Sequence, residues 1–112
     1  MNIKTVLIIE LDTVFSGIIR SRGVCKRCGQ KDNLVTAHIF SRRNLSVRWD
    51  FGNAFCFCTG CHAWAHQNPK LFKEFVKSKL GDEFKVLEKK AMQVKKWSVT
   101  ELEILLEGLK KI

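Results

Sequence analysis

No apolar run in this chain approaches the roughly 20 residues needed to span a bilayer. The longest aliphatic stretch, Val6 to Ile9, is closed by Glu10 and Asp12, too early for the core of a signal peptide. There is one proline, Pro69, and neither an internal repeat nor a linker. Hydrophobic residues at 46% and charged residues at 28% exclude collagen-like, low-complexity and largely disordered chains. A length of 112 residues leaves room for one domain and little more. The expectation is a soluble single domain, made and kept in a cytosol. Acidic residues are also scarce, 11 against 20 Lys and Arg, and the resulting charge of +9 points to a polyanionic partner.

The basic excess is uneven. All six Arg (Arg20, Arg22, Arg27, Arg42, Arg43 and Arg48) lie between residues 20 and 48 with Lys26 and Lys31, opposed there only by Asp32. Residues 70 to 112 instead interleave eleven Lys with seven acids at helical spacing, the pattern of a solvated helix face. Guanidinium groups pair bidentately with phosphates, so the Arg-rich stretch is the candidate ligand surface. Simple solubility is the plainer reading of the same charge.

Leu11, Val14, Phe15, Ile18 and Ile19 follow a helical period, which predicts a helix over 12–22 ending at Gly23. Ile3 to Glu10 fits either a strand or an earlier turn of that helix. Residues 24–62 carry no helical period; Leu34–Phe40 and Ala54–Phe57 read as two strands joined by a long loop. From Asn68, a potential cap before Pro69, a stripe of Leu71, Phe72, Phe75, Val76 and Leu80 predicts a helix ending at Gly81. Asp82 opens a second stripe, Phe84, Leu87, Ala91 and Val94. Ser98 with Glu101, or Thr100 with Glu103, offers a capping box before Leu102, Leu105, Leu106 and Leu109. These stripes and Trp97 are read as core.

The five cysteines have a pattern. Cys25-Lys-Arg-Cys28 and Cys58-Thr-Gly-Cys61 are two C-x2-C knuckles, thirty residues apart, with Gly29 and Gly60 available to help the turns. Each knuckle brings two thiolates to one ion, and two knuckles complete a closed, tetrahedral structural zinc site. Disulfides are disfavoured by the odd count and the lack of a secretion signal. Cys56, alternating with Phe55 and Phe57, is expected to be a buried free thiol.

The three histidines follow: His38, then His62 and His66, four apart on a helix that would start near Thr59. Singly each is more often an ordinary surface or core histidine. Together with Asn53 they read H-x14-N-x8-H-x3-H, framed by the two knuckles. Over about residues 11–75 this arrangement resembles the HNH endonucleases. With His38-Ile-Phe-Ser-Arg-Arg, Arg48-Trp49-Asp50, Asn53-Ala54 and Cys58-x2-Cys61-His62, it is most similar to the small zinc-stapled HNH proteins of bacteriophages.

The resemblance implies an α+β fold. A small ββα-metal core of about 24–68, a two-stranded hairpin plus a helix, would be flanked by the N-terminal helix and by a C-terminal helical region of about 69–112. It implies His38 as general base, an imidazole neutral enough at pH 7 to take a proton from water. His62 and His66 would hold a catalytic divalent ion (Mg²⁺, Mn²⁺, Ni²⁺ or Zn²⁺), and Asn53 would either brace the loop after His38 or bind that ion. Arg20, Arg22, Lys26, Arg27, Arg42, Arg43 and Arg48 would grip DNA phosphates without reading sequence. Trp49 is a packing residue or a base-stacking one. Many relatives carry Asp or His just before the base where this chain has Ala37, so the ion would complete its shell with water, phosphate or Asp50. The implied partner is DNA, with no membrane; a phage protein partner is open, a monomer is favoured, and the compartment would be the host cytoplasm. Two rival readings are a non-catalytic zinc-stapled DNA-binding module and an interaction domain using its Lys-rich helical tail.

Overall fold

A computed structural model describes residues 1–112. Helix α1 (Ile3–Arg20) is followed by β1 (Leu34–His38), β2 (Ala54–Cys58) and α2 (Thr59–Gln67), then by α3 (Pro69–Leu80), α4 (Glu83–Ala91) and α5 (Val99–Lys110). The architecture is α+β: one two-stranded antiparallel hairpin wrapped by five helices. No helix is long and apolar enough to cross a membrane.

The ambiguity at Ile3 to Glu10 resolves as helix. Asn2 caps the N-terminus, its side chain accepting the Thr5 N–H at 2.9 Å, and Leu7, Leu11, Phe15 and Ile19 are all buried at a spacing of four. Those four pack against Leu102, Leu106 and Leu109 of α5. Of the two capping boxes offered by the sequence, Ser98 with Glu101 forms. The α4 stripe stops at Ala91, so Val94 lies beyond the helix and is 90% exposed rather than core. Asn68 does not cap α3 with its side chain; its Nδ2 instead donates to the Trp64 carbonyl at 3.0 Å, closing α2.

β2 is the centre of the molecule. Its sequence, Ala-Phe-Cys-Phe-Cys, is apolar in both parities, and all five residues are buried, as expected of a strand covered on both faces. Ala54 and Cys56 join the α1–α5 core with Trp49, while Phe55 and Phe57 pack with Ala65 of α2 and Val76 of α3. β1 pairs with β2 from Leu34↔Cys58 to His38↔Ala54. Its other edge has no strand beside it and faces the space between α1 and α2, tied to α1 by a 2.8 Å hydrogen bond between Thr36 Oγ1 and Ser16 Oγ.

Candidate metal centre and histidine cleft

The first knuckle turns between α1 and β1. The Gly29 N–H donates to the Cys25 carbonyl at 2.9 Å, and Gly29 sits at φ +81°, a conformation favouring glycine. The second knuckle spans the β2–α2 junction, where Cys58 is the N-cap of α2 and its Sγ accepts the Cys61 N–H at 3.4 Å. Gly60 lies within α2 at no positive φ, and a Cβ there would meet only ordinary contacts, so this second turn does not need a glycine.

The two turns bring the sulfurs of Cys25, Cys28, Cys58 and Cys61 within 4.8 Å of one another, with Cys28 Sγ 3.6 Å from Cys58 Sγ. A tetrahedral shell with metal–sulfur bonds of about 2.3 Å places sulfurs roughly 3.8 Å apart, so the set fits zinc. All are free thiols. Burial acts to raise the Cys25 pKa, but the backbone N–H groups of Cys28, Cys58 and Arg27 overcome it and bring it down to about 6. Cys61 goes the other way, to about 12, through burial and the thiols beside it, with Arg27 opposing. Cys56 belongs to the α1–α5 core and stands outside the four-sulfur cluster, with burial raising its pKa.

The histidines meet elsewhere. A cleft of about 830 Å³ runs along the free edge of β1 and is lined by His38, His62, His66, Asp12, Arg20 and Arg42 among others. On α2, His62 and His66 set their Nε2 atoms 3.2 Å apart, close to the separation of two imidazoles on one tetrahedral ion with bonds of about 2.0–2.1 Å. Burial first and then His66 lower the His62 pKa.

His38 closes β1 and stacks on Phe15, ring centroids 5.8 Å apart. Its Nε2 lies 3.2 Å from the Arg48 carbonyl. A carbonyl only accepts, so Nε2 carries the hydrogen and Nδ1 keeps the lone pair. Burial is the main reason the His38 pKa falls below the ordinary imidazole value, with Arg42 and Arg48 adding to it against the Arg48 carbonyl and Asp12.

Asn53 is 0% exposed. Its Nδ2 donates to the carbonyls of Phe40 (2.9 Å) and Val47 (3.2 Å), and its Oδ1 accepts the Phe40 N–H at 2.8 Å. Its backbone carbonyl accepts from the Ile39 N–H at 2.8 Å. Of its two expected roles the bracing one has this geometry. The expectation of Asn53 as a metal ligand is corrected, because its Oδ1, the atom that would ligate, accepts the Phe40 N–H inside the loop and the residue does not line the cleft. Asp50 is likewise turned away: one oxygen accepts the Gly52 N–H at 2.8 Å and the other pairs with Lys90 Nζ at 2.6 Å. Ala37, buried in the core with Phe55 and Phe57, also lines the cleft but offers no ligand atom there.

Asp12 was not legible as a site residue. It points from α1 into the loop after His38, where it pairs with Arg42 (2.9 Å) and Arg48 (2.7 Å) and accepts the Trp49 indole N–H at 2.9 Å. The sequence gives no signal for it, since Asp12 lies beside Glu10 and eight residues before the first arginine. Although burial opposes it, these donors hold the Asp12 carboxyl below its usual range, Arg48 foremost.

The Arg cluster therefore divides. Arg48 is 16% exposed and engaged with Asp12, which corrects its reading as a phosphate contact. Trp49, buried and bonded to Asp12, packs edge-on against Trp97 and is not a base-stacking surface. Arg22 donates to the carbonyls of Ala54 and Phe51 at 2.9 and 3.1 Å, and Arg27 lies on Trp64. Arg20 and Arg42 stay exposed at the cleft, and Lys26 and Arg43 are exposed outside it. No family model matches the chain, and comparison with curated proteins and with solved structures returns no match.

Proposed function

We propose that this chain is a metal-dependent endonuclease of the HNH type, with a ββα-metal core formed by β1, β2 and α2, that hydrolyses DNA phosphodiester bonds. The observation carrying the reading is the convergence of His38 from β1 with the His62–His66 pair from α2 on one cleft rimmed by Arg20 and Arg42. Such a cleft joins a proton acceptor, a site for a divalent ion and cations for phosphate.

His38 Nδ1 takes a proton from the attacking water while Nε2–H stays on the Arg48 carbonyl. The depressed His38 pKa keeps the ring neutral at pH 7, the form a base needs. Asn53 acts as a positioning residue, bonding Phe40, two residues after the base, to Val47, the neighbour of Arg48. Arg20 and Arg42 bind phosphate on either side of the cleft. His62 and His66 would hold a divalent ion, which when bound would supply charge neutralisation on the phosphate and the leaving oxygen. The Cys25, Cys28, Cys58 and Cys61 site, loaded with zinc, is structural, since four thiolates close the shell.

The test is plasmid nicking with Mg²⁺, Mn²⁺, Ni²⁺ or Zn²⁺, wild type against His38→Ala. Expected is cleavage by the wild type with at least one metal and a fall on the order of 100-fold or more in the variant, the usual weight of a general base. Absence of cleavage with every metal, alongside salt-sensitive DNA binding, favours a non-catalytic zinc-stapled binding module instead. Ala37, which supplies no ligand beside His38, is the feature that favours this second reading.

A further inference from the structure

We propose that Arg27 is a fifth functional member of the four-cysteine site, a positioning residue that sets its metal affinity and fastens the first knuckle to α2. The proposal rests on the cysteine cluster and stands whether or not the chain is a nuclease.

Arg27 lies between Cys25 and Cys28, and its guanidinium reaches across to the other half of the site. Its Nη1 donates to Cys61 Sγ at 3.4 Å, and its guanidinium carbon sits 3.6 Å from the centre of the Trp64 ring. Trp64 is one turn beyond Cys61 on α2 and is held edge-on against Phe75 of α3. One side chain thus contacts a sulfur of the four-cysteine cluster and an aromatic face one helical turn from that sulfur.

Charge gives the contact its purpose. Four thiolates on a divalent ion leave two negative charges in excess, and three of the four cysteines are buried. A cation donating N–H to one sulfur offsets that excess and lowers the cost of keeping the thiolate ionised. Arginine suits the position better than lysine. Its planar guanidinium can lie flat on an indole while an edge N–H points at sulfur; an ammonium is a point charge and cannot do both. Lys26, the other residue inside the knuckle, has no side-chain hydrogen bond or ion pair and serves as the internal control. The contact also explains why one of the six arginines is unavailable as a free phosphate-binding group.

The test measures zinc affinity of the full chain by competition with a chromophoric chelator, together with the sulfur-to-cobalt charge-transfer band after Co²⁺ substitution. Arg27→Ala is expected to weaken zinc binding by about 10- to 100-fold, the usual effect of losing a hydrogen bond to a metal ligand, and to shift the cobalt band. Trp64→Leu is expected to weaken binding in the same direction but less, and Lys26→Ala to leave both readouts unchanged. Equal zinc affinity in Arg27→Ala and wild type overturns the proposal. So does an equal loss in Lys26→Ala, which would mean that general positive charge is responsible. Where Arg27→Ala fails to fold even at saturating zinc, Arg27→Lys decides: an intermediate affinity supports the proposal, and wild-type affinity overturns it.

Discussion

Asp12 and Arg48 form a two-pronged ion pair across 36 positions of sequence, Oδ1 accepting from Nε at 3.1 Å and Oδ2 from Nη2 at 2.7 Å. The same carboxylate takes the Trp49 indole N–H and a hydrogen bond from Arg42. One acid on α1 thereby holds three residues of the loop that leaves His38 and returns at Asn53. Arg48 in turn presents the carbonyl that fixes the His38 ring, so the pair connects the α1–α5 core to the orientation of the proposed base.

Asp12→Ala should therefore be felt well beyond one surface charge. Exposed ion pairs are worth below about 1 kcal/mol and breaking a buried one costs about 3–5, so a pair with side chains 16% and 26% exposed should cost about 2 kcal/mol. Arg42→Ala, at a position 57% exposed, should cost much less than Arg48→Ala. Urea midpoints of the three variants check the ranking. Equal losses for the two arginines would show that the bidentate geometry carries no special weight.

Acid should destabilise the protein in two stages. His38 has its pKa lowered by burial, so between its folded value and the ordinary value near 6.5 the unfolded chain binds the extra proton. Its contribution is complete above about pH 6.5 and declines as pH falls toward the folded value. Asp12, whose pKa is depressed chiefly by Arg48 against the opposing effect of burial, keeps its contribution above about pH 4 and loses it as pH falls through the folded value. Thermal melts across pH 3 to 8 should show the upper stage removed by His38→Gln and the lower one by Asp12→Asn.

Asn53→Ala should be among the most damaging single changes. It strands the Phe40 N–H and the Phe40 carbonyl in a site where Asn53 itself is 0% exposed, while the Val47 carbonyl keeps the Asp50 N–H at 3.1 Å. Unsatisfied buried groups cost about 1–3 kcal/mol each, so with two of them a loss of about 2–4 kcal/mol in denaturant unfolding is expected. Asn53→Asp should not rescue it, because a carboxylate would face two carbonyl oxygens. A loss below about 1 kcal/mol would mean that water replaces the amide without penalty.

Much of this arrangement was legible because local rules acted alone. The knuckles, the helical stripes of α3 to α5 and the four-residue spacing of His62 and His66 each depend on neighbours a turn apart, and the structure forms these elements, with Leu71 and Val94 the stripe members left exposed. Open or mistaken readings arose where a distant partner decides. Ile3–Glu10 fits a strand or a helix, and packing of Leu7 and Leu11 on α5, with the Asn2 cap, decides for helix. Arg48 and Arg22 look like phosphate ligands until Asp12 and the carbonyls of Phe51 and Ala54, some 30 positions away, claim them. Asn53 was open between two roles because its burial comes from loop closure, which no periodicity encodes.

Stripping metal from the four-cysteine site should unfold the whole chain in one transition, not merely the knuckle half. The strand β2 is shared between the two halves: Ala54 and Cys56 lie in the α1–α5 core while Cys58 is both a sulfur of the site and the N-cap of α2. Losing the site frees both ends of the knuckle pair and with them the strand that divides the two cores. Structural zinc sites contribute on the order of 10 kcal/mol, comparable to the entire stability of a small domain. A tight chelator should thus abolish the cooperative melt followed by circular dichroism, and amides of α1 and α5 should lose exchange protection together with those of β2. Cys58→Ala should behave like the chelated protein. His62→Ala and His66→Ala, half-buried and exposed positions on the cleft, should melt within about 1 kcal/mol of wild type. Protection surviving in α1 and α5 after chelation would show instead that the helical pair stands without the strand.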